Sequence, residues 1–267
     1  MFLPYCGFSQ NIDFGISLGG SNYSGDLTES VMVSIRQTHP CLGIHGRVEW
    51  DPLFSLRLQF NYLQLSGDDA YSERPGNVQR NLNFRSSVQE LNAVIQLQPL
   101  NIFSTMPRRL SPYLQFGLAG FHFNPHAEYR GSRIALQPLG TEGQGLPGFE
   151  EPYKLYSYAL IFGAGLRYFV NESWSLGMEA LARQTGTDYL DDASTNYLQY
   201  EQLFQQRGFL AAELGNKIRA SSGTKRANPA DKDWYQSIAL SLSYHLGKRG
   251  RTGSPKLRKH QIHCPSF

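Results

Sequence analysis

Clustered carboxylates are the residues of this chain whose types and spacing come nearest to a chemical site. Asp188, Asp191 and Asp192 fall within five residues, and Asp68 and Asp69 are adjacent. Carboxylate oxygens so arranged could bind calcium, although the ligand spacing of an EF-hand is absent. Asx turns and strand-end capping explain the same residues without a metal. We predict no metal or cofactor, and treat these aspartates as candidate interaction residues of loops.

The histidines could serve acid–base or nucleophilic catalysis. His45, His122, His126 and His245 have no Ser and Asp at motif spacing, and no GxSxG motif occurs. The glycine-rich run 136–145 is not followed by GKS or GKT, so it does not predict a nucleotide site. The sequence therefore predicts a protein that is not an enzyme. A rim-sited enzyme that uses His122 or Asp191 is the alternative left open.

About eight stretches with a period of two must position these residues. In the last stretch Ile238, Leu240 and Leu242 alternate with Ser237 and Ser241. Such alternation predicts a β-strand with two unlike faces. The eight candidate stretches are 12–19, 42–50, 56–62, 90–97, 114–119, 158–168, 174–183 and 235–246.

The polar faces of these stretches mix small residues with long charged ones. This mixture suits a narrow lumen, in which small residues leave room for charged side chains that pair with each other. A soluble lipocalin-like barrel, with its apolar face inward, is the alternative. The predicted lumen charges are Arg47, Glu49, Arg57, Glu90, Arg167, Glu179 and Arg183.

The connections between the stretches alternate between short and long. Short ones lie near 51–53, 99–112 and 170–173, and long ones near 26–40, 66–80, 124–156 and 188–233. No apolar run approaches the ~18 residues of a spanning helix. We predict an all-β fold, an eight-stranded antiparallel transmembrane β-barrel in the outer membrane of a Gram-negative envelope. Its short turns would be periplasmic and its four long loops extracellular.

Composition divides the 267 residues into three parts. The net charge is +3, but six of the 25 Lys and Arg residues lie in 248–267, so the remainder carries a net charge of -3. A nucleic-acid partner is therefore not expected. We predict that residues 1–9 are the remnant of an export signal, residues 10–247 are the barrel, and residues 248–267 are a basic, disordered tail.

The fourth long loop carries two further expectations. The pattern across 198–220 predicts one amphipathic helix. The residues on its apolar side would be Leu203, Phe204, Phe209, Leu210 and Leu214. Tyr189 stands between the clustered aspartates of the same loop, so we count it as a candidate interaction residue.

Several segments, in order, resemble the PorG family of outer-membrane barrels, which is associated with the type IX secretion system of Bacteroidetes. They span most of the predicted barrel, from Asn11 to Leu246. The basic tail departs from the family pattern, since the family usually ends near its last strand. The resembling segments are 11–15, 19–27, 65–69, 80–85, 121–125, 136–145, 189–192 and 228–235.

The resemblance implies an accessory of protein secretion that docks a periplasmic ring of a lipoprotein and partner subunits. Arg108 and Arg109, in a predicted periplasmic turn, could make that contact. The resemblance implies no catalytic residue. A stand-alone small barrel that stabilises the envelope or binds a surface ligand is the alternative function.

Overall fold

The computed structural model describes residues 11–28, 37–72, 74–102, 109–230 and 232–246. The predicted signal remnant, the basic tail and Arg108 lie outside these residues. Among the described residues, no helix is both long and apolar enough to cross a membrane.

Nine strands and three α-helices, together with short 3-10 helices, account for the regular structure of the described residues. The strands are β1 (Asn11–Ser24), β2 (His39–Glu49), β3 (Phe54–Asp68), β4 (Asn83–Leu97), β5 (Leu110–Tyr129), β6 (Ser132–Ala135), β7 (Tyr156–Phe169), β8 (Trp174–Thr185) and β9 (Trp234–His245). The helices are α1 (Pro75–Arg80), α2 (Tyr200–Arg207) and α3 (Phe209–Gly215).

Eight of the strands form one closed antiparallel barrel. The order around it is β4-β3-β2-β1-β9-β8-β7-β5, and β4 pairs with β5 to close the ring. The first and last barrel strands pair with Leu18 opposite Leu240. The short β6 pairs with β5 alone, outside the ring. The prediction of eight antiparallel barrel strands is confirmed.

Most of the large apolar side chains of the strands point outward, and a smaller set that includes Leu63 and Phe123 is buried inside. Leu240 is 65% exposed and Leu58 is 54% exposed, whereas Arg57 is 1% exposed and Glu90 is fully buried. A soluble barrel would bury the apolar side chains and expose the charged ones, because water solvates charged groups. The exterior is an apolar belt for lipid to cover, and the closed ring leaves no strand edge unpaired within it.

Small residues on the inner face make room for larger neighbours. A Cβ atom added to Gly165 would lie 2.4 Å from Cζ of Tyr113. A Cβ atom on Gly15 would lie 2.5 Å from Cε1 of His45. Glycine at these two positions therefore lets rings from neighbouring strands enter the lumen.

The three short connections lie at one end of the barrel, the turn end, and the long loops lie at the other, the loop end. The long connection after β8 holds two short helices instead of the one predicted across 198–220. Gly208 ends α2 and begins α3 with φ +91°, a left-handed conformation that glycine adopts without steric cost. Leu203 and Leu214 are buried, as the amphipathic pattern indicated, but Phe204 and Phe209 are exposed, because the break at Gly208 reorients the second half of the segment.

Candidate functional site

The middle of the lumen is crossed by one ion pair. Arg57 on β3 and Glu179 on β8 lie four strands apart in either direction around the ring, so their side chains meet across its diameter. Arg57 Nη2 donates to Glu179 Oε1 at 3.1 Å, and Arg57 Nη1 donates to Oε2. The Tyr113 hydroxyl donates to the same carboxylate at 3.2 Å. The pair thus ties opposite walls together.

A second carboxylate, Glu90 on β4, accepts hydrogen bonds from four side chains. Arg183 Nε donates to it at 2.6 Å, and so does the Tyr235 hydroxyl at 2.6 Å. Asn61 and Asn92 donate amide hydrogens at 2.6 and 2.7 Å. With guanidinium and neutral donors together, this buried carboxylate is fully satisfied.

The third pair, nearer the turn end, contains a residue that the sequence reasoning missed. Arg47 Nε donates to Asp13 Oδ2 at 2.7 Å, and Arg47 Nη1 donates to Glu49 at 3.3 Å. Asp13 alternates with Ile12 and Phe14 along β1, and that alternation was the signal that could have placed it in the lumen. We call Asp13 and the seven predicted lumen charges the lumen network.

Arg167 is the lumen cation without an ion pair among the described residues. Its Nη2 donates to Gln96 Oε1 at 2.8 Å, and its guanidinium lies 4.8 Å from the ring centre of Tyr113. Its Nη1 is buried without a hydrogen-bond partner. Amide and ring contacts therefore replace a carboxylate here.

Of the two lumen histidines, His245 lies near a carboxylate, whereas His45 contacts an arginine and a serine. His45 Nδ1 accepts from Arg57 Nη2 at 3.1 Å, and its Nε2 lies 3.0 Å from the Ser243 hydroxyl. Because arginine only donates, His45 is neutral in this arrangement. His245 Nδ1 lies 3.5 Å from the carboxylate of Asp13.

The long loops fold over the loop end as a buried cap, which we define as the packed parts of 69–82, 130–155 and 186–233. One apolar cluster joins inward-facing Leu63 of β3 to loop residues Leu136 and Leu190. The cap is therefore continuous with the core of the barrel.

Arg226 joins two of these loops. Its Nη1 donates to Glu142 Oε1 at 2.8 Å and to the Asp192 carbonyl at 2.7 Å. Asp192 also accepts from the hydroxyls of Thr141 and Tyr153, at 2.5 and 2.6 Å. Burial raises the pKa of Asp192 to about 6, although Arg226 opposes the shift.

A bidentate pair joins the second loop to its neighbours. Arg80 donates to both carboxylate oxygens of Asp69 at 2.8 Å. The same guanidinium donates to the carbonyls of Arg226 and Asp26, both at 2.8 Å. One side chain thus holds three loops.

Two further cap carboxyls meet at a tyrosine hydroxyl. The hydroxyl oxygen of Tyr23 lies 2.7 Å from Asp191 Oδ2 and 2.6 Å from Asp233 Oδ1. A hydroxyl has one hydrogen, so the second contact needs a proton on a carboxyl group. Burial raises the pKa of Asp191 to about 8 and raises that of Asp233 as well.

The structure places the predicted loop residues inside the cap more often than on its surface. Asp69, Asp188, Asp191 and Asp192 are buried, and Asp68 and Tyr189 are half-buried. The Tyr189 ring stacks on Tyr153 at 4.5 Å between centroids. Within the part of the chain that is described, no group of three or more His, Cys, Asp or Glu side chains is arranged to hold a metal ion.

The residues considered for a rim enzyme do not share partners. The His122 ring packs on Tyr156 at 4.7 Å between centroids, whereas Asp191 is hydrogen-bonded to the Tyr23 hydroxyl and accepts from the backbone N–H of Ala193. At the turn end, Arg109 is exposed.

Residues 3–135 match a family described as a domain of unknown function (DUF6089). No curated protein matches the chain.

Several solved outer-membrane proteins are similar in fold at low identity. Neisserial surface protein A is 10% identical, with a TM-score of 0.42 over 87% of this chain and 96% of that chain. Ail of Yersinia pestis, solved with a heparin analogue, is 9% identical, with a TM-score of 0.42 over 88% and 98%. OprG of Pseudomonas aeruginosa is 10% identical, with a TM-score of 0.41 over 88% and 94%.

The closed barrel and its apolar exterior make this chain an outer-membrane β-barrel of a Gram-negative envelope. Lipid is therefore one of its partners.

Proposed function

We propose that the protein is a structural outer-membrane barrel that acts through its two ends and conducts nothing through its middle. The observation that carries this proposal is the Arg57–Glu179 pair, which bridges opposite walls. The lumen of an eight-stranded barrel is just wide enough for side chains to fill. Export of a folded protein through it would require the lumen network and the cap to come apart.

We further propose that the barrel is an accessory of a type IX-like secretion system and docks a periplasmic ring complex. The support is the ordered set of segments that resemble PorG, together with the exposure of Arg109 at the turn end. A guanidinium there could pair with carboxylates of a ring subunit. Arg108, next to it in sequence, adds a second positive charge.

Co-purification tests the docking proposal. The full-length barrel is extracted in mild detergent from the outer membrane, and the proteins recovered with it are identified by mass spectrometry. We expect ring subunits with the native protein and their loss with Arg108→Glu/Arg109→Glu. Lys154→Glu, a charge reversal in an exposed residue of the opposite end, is the matched control and should keep the ring. Recovery of the native barrel without any ring subunit contradicts the proposal.

A stand-alone barrel for envelope stability or surface-ligand binding is the second candidate. The observation that favours it is the cap, whose carboxyls bond to groups of the same chain, such as Glu142 to Arg226. Under this alternative, deletion of the gene leaves secretion intact and weakens resistance of the cells to detergent. Under the docking proposal, deletion lowers secretion.

We infer no catalytic role. His122 lies against Tyr156 on the outer wall, and Asp191 is buried in the cap. If a rim enzyme existed, His122→Ala would abolish its turnover while the barrel still folded.

A further inference from the structure

A polar groove of about 520 Å³ lies on the outer wall of the barrel near its loop end. It forms where β3, β4 and β5 continue past the apolar belt and the β5–β6 hairpin folds beside them. Ser66 pairs with Arg85, and Arg85 pairs with His126, so these three residues form a row across adjacent strands. Arg85 has the same strand parity as exposed Leu91, which places it on the outward face.

The groove sits above the hydrocarbon. On β4, the outward positions from Leu91 to Arg85 are Gln89 and Ser87, both polar. Six residues of a strand tilted by about 40° rise roughly 15 Å along the barrel axis. Arg85 therefore lies at the level of lipid headgroups and their sugars, and its neighbours there are lipids as well as water.

Three exposed guanidinium groups line this groove. Arg85, Arg130 and Arg133 form no ion pair with any carboxylate of the described residues, whereas Arg47, Arg57, Arg80, Arg183 and Arg226 all do. The unpaired three are free to meet an anion from outside.

The other polar groups of the groove neutralise only part of its positive charge, because two carboxylates face three guanidinium groups. Arg85 Nη2 donates to His39 Nδ1 at 3.1 Å, so His39 is neutral there and adds no negative charge. The two carboxylates in the lining are Asp68, which accepts from the N–H of Ala70 at 2.9 Å, and Glu128, opposite Arg133 on β6.

The turn between β5 and β6 carries one of these cations, Arg130, in a strained backbone conformation. Arg130 has φ +50° and Gly131 has φ +77°, the pattern of a two-residue hairpin turn. Asn followed by Gly is the favoured pair in such turns, because the first residue is left-handed. An arginine in its place carries strain and sets a guanidinium at the tip of the hairpin, 5.2 Å from the centre of the Tyr129 ring.

We propose that this groove binds the phosphate groups of an anionic glycolipid in the outer leaflet. Guanidinium groups bind phosphate through paired, charge-assisted hydrogen bonds. The outward, headgroup-level position selects a lipid-borne phosphate over a soluble one, since the acyl chains of such a lipid would lie along the apolar belt below.

Native mass spectrometry of the full barrel in detergent micelles measures this binding, with diphosphorylated lipid A as the probe. The test variant is Arg85→Gln/Arg130→Asn/Arg133→Gln, in which asparagine preserves the left-handed turn. The matched control, Lys154→Gln/Arg219→Asn/Lys225→Gln, removes three exposed cations of the cap outside the groove. Heat-modifiable gel mobility shows that each variant is folded.

We expect the test variant to bind lipid A about tenfold more weakly than the native barrel, and the control to stay within about twofold. Lipid A without its phosphates should bind the native barrel as weakly as lipid A binds the test variant. Equal binding by the test and control variants overturns the proposal. Competition by inorganic phosphate at the concentration of the lipid overturns the assignment to a lipid.

Discussion

The lumen and the cap bury carboxylates in two different ways. In the lumen, Glu90 and Glu179 each receive a guanidinium from another strand. In the cap, Asp191 and Asp233 meet at the Tyr23 hydroxyl, and neither has a cationic partner among the described residues. Charge is thus balanced by arginine in the lumen, whereas the cap contains, beside its arginine-paired Asp69 and Glu142, a pair of carboxyl groups that is held by a bound proton.

The lumen and the cap therefore depend on different interactions for their stability. Removing one member of a lumen ion pair leaves the other charge buried without a partner. A change of pH within the physiological range leaves both members charged and paired. The cap responds to pH, because Asp188, Asp191 and Asp233 have no arginine partner in the part of the chain that is described and must keep a proton to stay buried. We therefore expect a barrel that tolerates pH and a cap that does not.

The largest expected effect is the loss of Arg57. Arg57→Met leaves Glu179 buried without its cation, and we expect the free energy of unfolding to fall by about 3–5 kcal/mol. Urea titration of the barrel in lipid vesicles, read by tryptophan fluorescence, measures the change. The double variant Arg57→Met/Glu179→Met removes both charges and should lose much less. If the double variant is no milder than the single one, the ion pair is not what the lumen depends on.

The next effect concerns pH and the cap. Burial raises the pKa of Asp191 to about 8 and that of Asp188 to about 7, so the folded cap binds these protons more tightly than the unfolded chain does. The stability from these groups is complete below about pH 3.8 and is lost as pH rises through 7 to 8. Amide hydrogen exchange of 186–233 should therefore increase from pH 6 to pH 9, after correction for intrinsic exchange, while that of β3 stays constant.

Asp191→Asn tests the origin of this pH dependence. Asparagine imitates the protonated acid, since its amide can donate to the Tyr23 oxygen while its carbonyl accepts from Ala193 N–H. We expect the variant to keep the closed cap at pH 6 and to lose much of the increase in exchange at pH 9. An unchanged pH profile would show that other groups open the cap.

The smallest effect is the loss of one donor to a lumen carboxylate. Tyr235→Phe removes the 2.6 Å hydrogen bond to Glu90, which keeps Arg183 and two asparagines as partners. We expect a loss of about 1.5 kcal/mol in the same urea titration. A loss as large as that of Arg57→Met would mean that neutral donors, and not arginine, stabilise the lumen.

The sequence predicts the barrel well because its signal is local. Each strand alternates with a period of two. The alternation alone therefore assigns Leu240 and Ser241 to opposite faces, and no partner strand has to be identified first. Asp13 was missed because it is one charge on a face of glycine and serine, although the same alternation contained it. The short β6 carries no alternation long enough to predict.

The cap could not be predicted because its contacts join distant parts of the chain. Tyr23 and Asp233 are 210 residues apart, and Glu142 and Arg226 are 84 apart. Aspartates in turn-forming segments are normally predicted to be exposed loop residues. Only the tertiary packing shows that Asp191 and Asp192 are buried. The break between α2 and α3 follows from the left-handed Gly208, which a helical period does not reveal.

Spin labels on two adjacent residues of β9 test the central claim most directly. In a background with its native cysteines replaced, Leu240→Cys and Ser241→Cys are labelled with a nitroxide in lipid vesicles, and collisions with oxygen and with a water-soluble nickel complex are measured. We expect the label at 240 to collide strongly with oxygen and weakly with nickel, as lipid-facing sites do, and the label at 241 to be poorly accessible to both. Access of nickel to the label at 240, as at a water-facing site, would contradict the account.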